Sequence, residues 1–180
     1  MKLNIIITLI LYFAILSCKS DFIVIENPSQ YSKVIKRGKV IGAVFSENGE
    51  CFMCLQNEKR FTPNIEEIES AETILRRNIK EINYKKINQG DKCLVIHRNL
   101  SKYRRQYFGY FNEKNEKIIF VTFNKNRLTF IEKLKGFYQY ESDNWKKEKE
   151  TWFDGCSNHW EIKINLTKKS LFELGINGSG

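Results

Sequence analysis

Thr62-Pro63-Asn64-Ile65-Glu66-Glu67-Ile68-Glu69-Ser70-Ala71-Glu72-Thr73-Ile74-Leu75-Arg76-Arg77-Asn78-Ile79-Lys80-Glu81-Ile82 is the stretch from which the fold is read. Ile65, Ile68, Ala71, Leu75, Ile79 and Ile82 recur every three or four residues, and Ile74 widens the stripe. Side chains at that spacing share one face of a 3.6-residue helix. The segment therefore predicts an amphipathic helix over about 63–82. Thr62 is the candidate cap, and Pro63 suits the first helical position, where no N–H is required. Glu66, Glu67, Glu69 and Glu72 come early and Arg76, Arg77 and Lys80 late, an order that complements the helix dipole. Helix physics thus accounts for these charges without a binding site.

Beyond Tyr84 the apolar period shortens to two. Residues 106–112 and 117–124 are dense in aromatic and branched side chains, with 113–116 between them as a hairpin loop. In 159–166, Trp160, Ile162, Ile164 and Leu166 alternate with His159, Glu161, Lys163 and Asn165. Thr167-Lys168-Lys169 turns the chain into a last strand over 171–176, while 133–140 reads as strand or loop. Toward the N-terminus, 34–45 predicts a first strand, Asn48-Gly49 a hairpin turn, and 51–55 the returning strand. The sum is an α+β domain, one helix packed on a curved antiparallel sheet or meander. That order resembles cystatin-like and NTF2-like folds, a likeness that implies no activity.

The chain opens with Lys2 and an apolar run over 3–16 broken only by Asn4 and Thr8. The run is shorter than the roughly 20 residues of a membrane-spanning helix. Ile15-Leu16-Ser17-Cys18 resembles a lipobox, although Leu16 is bulky for its place. The reading is a lipoprotein signal peptide over 1–17, with Cys18 as the acylated (palmitate-bearing) first residue of the mature protein. Residues 18–32 would follow as a tether, with Pro28 and Ser29 breaking regular structure, and 33–180 as a single domain. Each buried methylene contributes about 0.8 kcal/mol, so two or three acyl chains anchor a protein firmly. A plain secretory signal beside an incidental cysteine is the alternative.

Thirty basic against 21 acidic residues give a net charge of +9. The excess is local: 47–72 holds seven acidic and two basic residues, 76–105 ten basic and two acidic. Arg76, Arg77, Lys80, Lys85, Lys86, Arg104 and Arg105 would form a basic surface for an anionic envelope component or a protein partner. The bland alternative is a solvated helix face and loop. Nucleic acid is a poor fit, since no binding motif accompanies the charge.

Four cysteines remain besides Cys18. In an exported domain Cys51, Cys54, Cys93 and Cys156 permit three disulfide pairings. Cys51-Phe52-Met53-Cys54 also has redox spacing, but it follows a turn instead of opening a helix. Zinc would need a second short pair, and none is present.

Phe61-Thr62-Pro63 into Ile65, Glu66 and Ala71-Glu72 makes a motif with 105–111, Glu116-Lys117-Ile118-Ile119, Trp145-Lys146-Lys147, Asp154-Gly155, Trp160-Glu161-Ile162-Lys163 and Asn177-Gly178. Over most of 60–180 this resembles a family of small Bacteroidetes lipoproteins of unknown function. A second glycine commonly follows Asp154-Gly155 in that pattern, where this chain has Cys156, and 127–143 looks like an expansion. The resemblance implies an exported, lipidated α+β domain and no activity.

No nucleophile elbow, phosphate loop, zinc-protease helix or cofactor motif occurs. His159 and Glu161 share a strand face and are the one candidate pair for metal binding or proton transfer. Tyr107, Phe108, Tyr110, Phe111, Phe120 and Phe123 load both faces of one hairpin. One face must meet the helix; the other either lines a pocket or lies under a second layer such as 127–140. The expectation is a lipid-anchored, non-enzymatic binding module. A thiol-redox or metal-dependent protein using Cys51/Cys54 or His159/Glu161, or an inhibitor of an envelope hydrolase, are the alternatives.

Overall fold

The computed structural model describes residues 21–51, 54–90, 93–128, 130–136 and 142–178. Residues 1–17, read above as a signal peptide, and Cys18 lie outside them. Eight strands, β1 (Ile23–Ser29), β2 (Ser32–Arg37), β3 (Val40–Phe45), β4 (Lys59–Phe61), β5 (Tyr103–Phe111), β6 (Lys117–Lys125), β7 (His159–Asn165) and β8 (Ser170–Ile176), form one curved, unclosed sheet. Their order is β1-β2-β3-β5-β6-β7-β8, with β4 also on β5. Every pairing is antiparallel except β3 with β5. Helix α1 (Ile65–Ile82) carries the chain from β4 to β5, and a short α2 (Phe130–Leu134) follows β6.

The long helix stands where the periodicity put it, but its start differs in detail. Asn64 is the cap: its side chain accepts from the Glu67 N–H, and the Glu67 carboxylate accepts from the Asn64 N–H. Thr62 instead accepts the Glu47 N–H at 3.1 Å, tying the loop after β3 to the helix start. Ile68, Ala71, Ile74, Leu75 and Ile79 are buried against the sheet.

Three N-terminal expectations change. Residues 34–45 hold two strands, because Gly38 adopts a φ of +56° that lets Gly38-Lys39 close a hairpin between Arg37 and Val40. Of the expected tether over 18–32, the described part, 21–32, is not free, since Ile23–Ser29 is an edge strand on β2. Pro28 is tolerated there because an edge strand has amides without ladder partners. Phe22 is buried under the Arg37 guanidinium, 4.2 Å from its ring centre. The Asn48-Gly49 turn is present, with the Gly49 N–H donating to Ser46 O, but no described strand returns on β3: the next one, Lys59–Phe61, pairs with β5, and 52–53 of the expected strand lie outside the described residues.

Alternation along β5 divides the core in two. Tyr103, Arg105 and Tyr107 face α1 together with Val121, Phe123, Trp160 and Ile162. Phe108, Tyr110, Ile118 and Phe120 point the other way and pack with Phe45 and Trp145, joined by Cys51, Cys54 and Leu55. A second layer therefore covers much of the outer face. Trp145, Cys51, Cys54 and Leu55 supply it; of 127–140, one reading of such a layer, 129 and 137–140 lie outside the described residues.

Arg105 belongs to the helix-side core and is fully buried. Its Nε donates to Glu72 Oε1 at 2.7 Å, and its Nη1 and Nη2 donate to Tyr103 O and Leu100 O. Tyr107 donates its hydroxyl to the same Glu72 oxygen. Burial alone would lower the Arg105 pKa, but the Glu72 carboxylate outweighs it and holds the guanidinium charged.

Candidate ligand-binding cleft

Antiparallel register sets Arg104 on β5 beside Asn124 on β6, and Asn124 beside His159 on β7. The three form a transverse row on the face away from α1. In the next row stand Gln106, Thr122 and Glu161. Buried Gln106 anchors the segment that passes over the row. Its amide donates to Trp145 O and Glu148 O, and its carbonyl accepts from the Glu150 N–H and the Thr122 hydroxyl. All four hydrogen-bonding sites of the side chain are used.

Held there, Glu150 reaches back to the row. It accepts from Arg104 Nε at 3.1 Å and Nη2 at 2.5 Å, and from Asn124 Nδ2 at 2.9 Å. Because the Asn124 amide donates to Glu150, its carbonyl faces His159, whose Nδ1 lies 2.8 Å away. Nδ1 therefore carries the imidazole proton, and Nε2 presents a lone pair. Trp152 stacks on the imidazole with centroids 4.4 Å apart. Gly155, at φ +94°, is the only residue type that fits beneath: a Cβ there would lie 2.9 Å from His159 Cδ2. Asn177 donates to Trp152 O and Asp154 O, fixing this rim.

The result is a cleft of about 420 Å³ lined by Arg104, Lys125, Asn144, Lys149, Glu150, Thr151, Trp152 and His159, among others. Burial, with Arg104 adding to it, pushes His159 down to about 4, so the imidazole is uncharged at neutral pH. Burial also lowers the Lys149 pKa. Thr151 Oγ1 is buried with no hydrogen-bond partner among the described residues, and His159 Nε2, on the cleft lining, accepts no hydrogen bond there. The unused imidazole Nε2, the Lys149 ammonium and a half-exposed indole thus line one space. A base with a pKa of about 4 is poorly matched to proton transfer at neutral pH. Hydrogen bonding and stacking are what the arrangement does well.

The sequence-derived candidates are only partly brought together. Arg104 and Arg105 do not belong to a basic surface: β5 buries both, one against Glu150 and the other against Glu72. Arg76, Arg77, Lys80, Lys85 and Lys86 are exposed along the end of α1 and the turn after it. His159 is in the cleft, but it bonds Asn124 and not Glu161, which is exposed beside Gly175. Among the described residues no three His, Cys, Asp or Glu side chains gather as a metal site. Cys51 pairs with Cys54, and Cys93 with Cys156, with Cα separations of 5.3 and 6.2 Å. Glu150, Asn124 and Trp152 went unnoticed in the sequence. Only their place over a row of three strands gives them meaning.

No family model, curated protein or solved structure matches the chain. What fold and site define is an α+β domain with a polar, aromatic-rimmed cleft on the outer face of its sheet.

Proposed function

We propose that the chain is an exported, lipid-anchored envelope protein and a non-enzymatic binding module, whose cleft takes a hydroxyl-rich ligand such as an envelope glycan. The carrying observation is the His159 Nε2 lone pair, unused among the described residues, beside the Trp152 indole. Sugar hydroxyls donate to such acceptors, and their C–H faces stack on indole rings. The lipobox-like Ile15-Leu16-Ser17-Cys18 supports the anchor. Acyl-bearing protein from its native membrane would be titrated with oligosaccharides released from the same envelope, and followed by isothermal titration calorimetry. Trp152→Ala should abolish the response while leaving the melting temperature within about 1 °C, as suits a rim side chain. A response unchanged by Trp152→Ala removes the cleft as the binding site, and an unmodified Cys18 removes the anchor.

One observation favours a thiol-redox role instead. The bonded Cys51–Cys54 pair is half-exposed and three residues apart. Reduction of this pair alone by a glutathione buffer at about −200 mV would favour it, because structural disulfides resist such a poise.

A further inference from the structure

The fold begins sooner after Cys18 than a free tether would allow. Phe22 is already core, and its N–H donates to Glu69. Three residues, and so four Cα–Cα steps, separate it from Cys18. At about 3.5 Å per residue they span at most about 14 Å, whatever their conformation. A lipid on Cys18 therefore keeps the start of β1 close to the bilayer surface.

The corner held there has an unusual surface. Ile23, Val24 and Ile25 are 61%, 46% and 46% exposed on the outermost strand. Edge strands are normally protected by charge, and three consecutive open aliphatic residues are not. Beside them, Lys36 pairs across the ladder with Ile23, and Lys39 lies at the tip of the same hairpin. Both are exposed and have no ion-pair partner among the described residues, and half-buried Lys33 has none either. Arg37 is engaged by Glu69 at 3.7 Å. The local acids are Asp21, which is exposed, and Glu26, which Lys146 neutralises at 2.8 Å. Aliphatic side chains fringed by unpaired lysines match the boundary between acyl chains and anionic headgroups.

We infer that the β1–β2 corner docks on an anionic membrane surface, so that Ile23, Val24 and Ile25 enter the headgroup boundary while Lys36 and Lys39 meet lipid phosphates. This rests on the lipid-anchor reading, which supplies the short reach. The domain then sits on the bilayer in one orientation instead of swinging from a leash.

The full chain, purified from its native membrane, would be reconstituted into phosphatidylcholine vesicles containing about a quarter phosphatidylglycerol. Hydrogen–deuterium exchange is compared with the same protein in neutral detergent, and intact mass is read on the same sample. The outward amides of an edge strand exchange freely unless something covers them. With acyl mass on Cys18, exchange in 21–27 should slow about tenfold or more on vesicles. Lys36→Glu and Lys39→Glu, both at exposed positions, should each restore it about fivefold. Acyl mass without slowing in 21–27 overturns the docking and leaves the anchor intact. Protection confined to another exposed apolar patch, such as Tyr84 to Ile87 or Trp152-Phe153, overturns it too. A chain without acyl mass overturns the anchor and the docking together.

Discussion

Replacing Glu72 isolates a charge that the fold has no other means to neutralise. Arg105 is fully buried, and two of its three partners are uncharged carbonyls, Tyr103 O and Leu100 O. Glu72 Oε1, at 2.7 Å, is its one ionic contact among the described residues. Removing one member of a buried pair costs about 3–5 kcal/mol, because the survivor stays desolvated without compensation. Glu72→Gln retains an oxygen for Arg105 and Tyr107 and falls near the lower bound. Glu72→Ala also opens a cavity and leaves the Tyr107 hydroxyl without its acceptor, so it falls near the upper. For a domain of this size that is a drop of about 6–20 °C in melting temperature. Urea denaturation followed by circular dichroism measures it. The double variant Glu72→Leu/Arg105→Met removes both charges and should recover most of the loss. A cost below about 1 kcal/mol for Glu72→Gln, or a double variant worse than either single one, would refute the reasoning.

Stability should fall as pH drops from neutral toward 4. His159 is held near 4, below its ordinary 6.5, so in that window the unfolded chain binds a proton that the folded chain does not. The upper bound is about 3 kcal/mol, at roughly 1.4 kcal/mol per pH unit. His97, also lowered by burial, adds in the same direction. His159→Gln should flatten most of the slope in pH-dependent melting, and an unchanged slope would count against a buried neutral imidazole. Cys93→Ser with Cys156→Ser opens a link between residues 63 apart and should cost about 4 kcal/mol by the loop-entropy relation, measured by melting with and without reductant. Opening Cys51–Cys54, three residues apart, should cost about half that. At Gly109 a Cβ would stand 2.6 Å from Phe61 O, so Gly109→Ala should cost about 1–3 kcal/mol and release β4, seen as faster amide exchange in 59–61.

Local signals were legible. The stripe of α1, the β5–β6 hairpin and the alternation of β7 follow from spacing alone, and each stands in the structure. The Glu72–Arg105 pair had a signal that charge counting hid. Glu72 falls in the stripe between Ile68 and Leu75, and Arg105 alternates with Tyr103 and Tyr107 toward the helix. A charged residue in an apolar register marks a partner opposite. The N-terminal edge was misread because Pro28 argues against a central strand and says nothing against an edge. The cleft was out of reach for a different reason. His159, Asn124 and Glu150 meet through pairings between distant segments, and no local rule forecasts such a register.

The sheet consists of two meanders, β1–β2–β3 and β5–β8, joined in parallel over only Gly42–Arg105, Ala43–Gln106 and Val44–Tyr107. Within each meander most turns are short, while the join closes a loop of some sixty residues that contains all of α1. Contacts so distant in sequence are slow to form, because chain entropy is lost before they stabilise anything. The hairpins should therefore precede the seam during folding. Until it closes, β3 and the Arg105–Tyr107 stretch of β5 each expose an unpaired edge. The hazardous interval for a newly made chain is then the wait between two half-sheets, when self-association competes with joining.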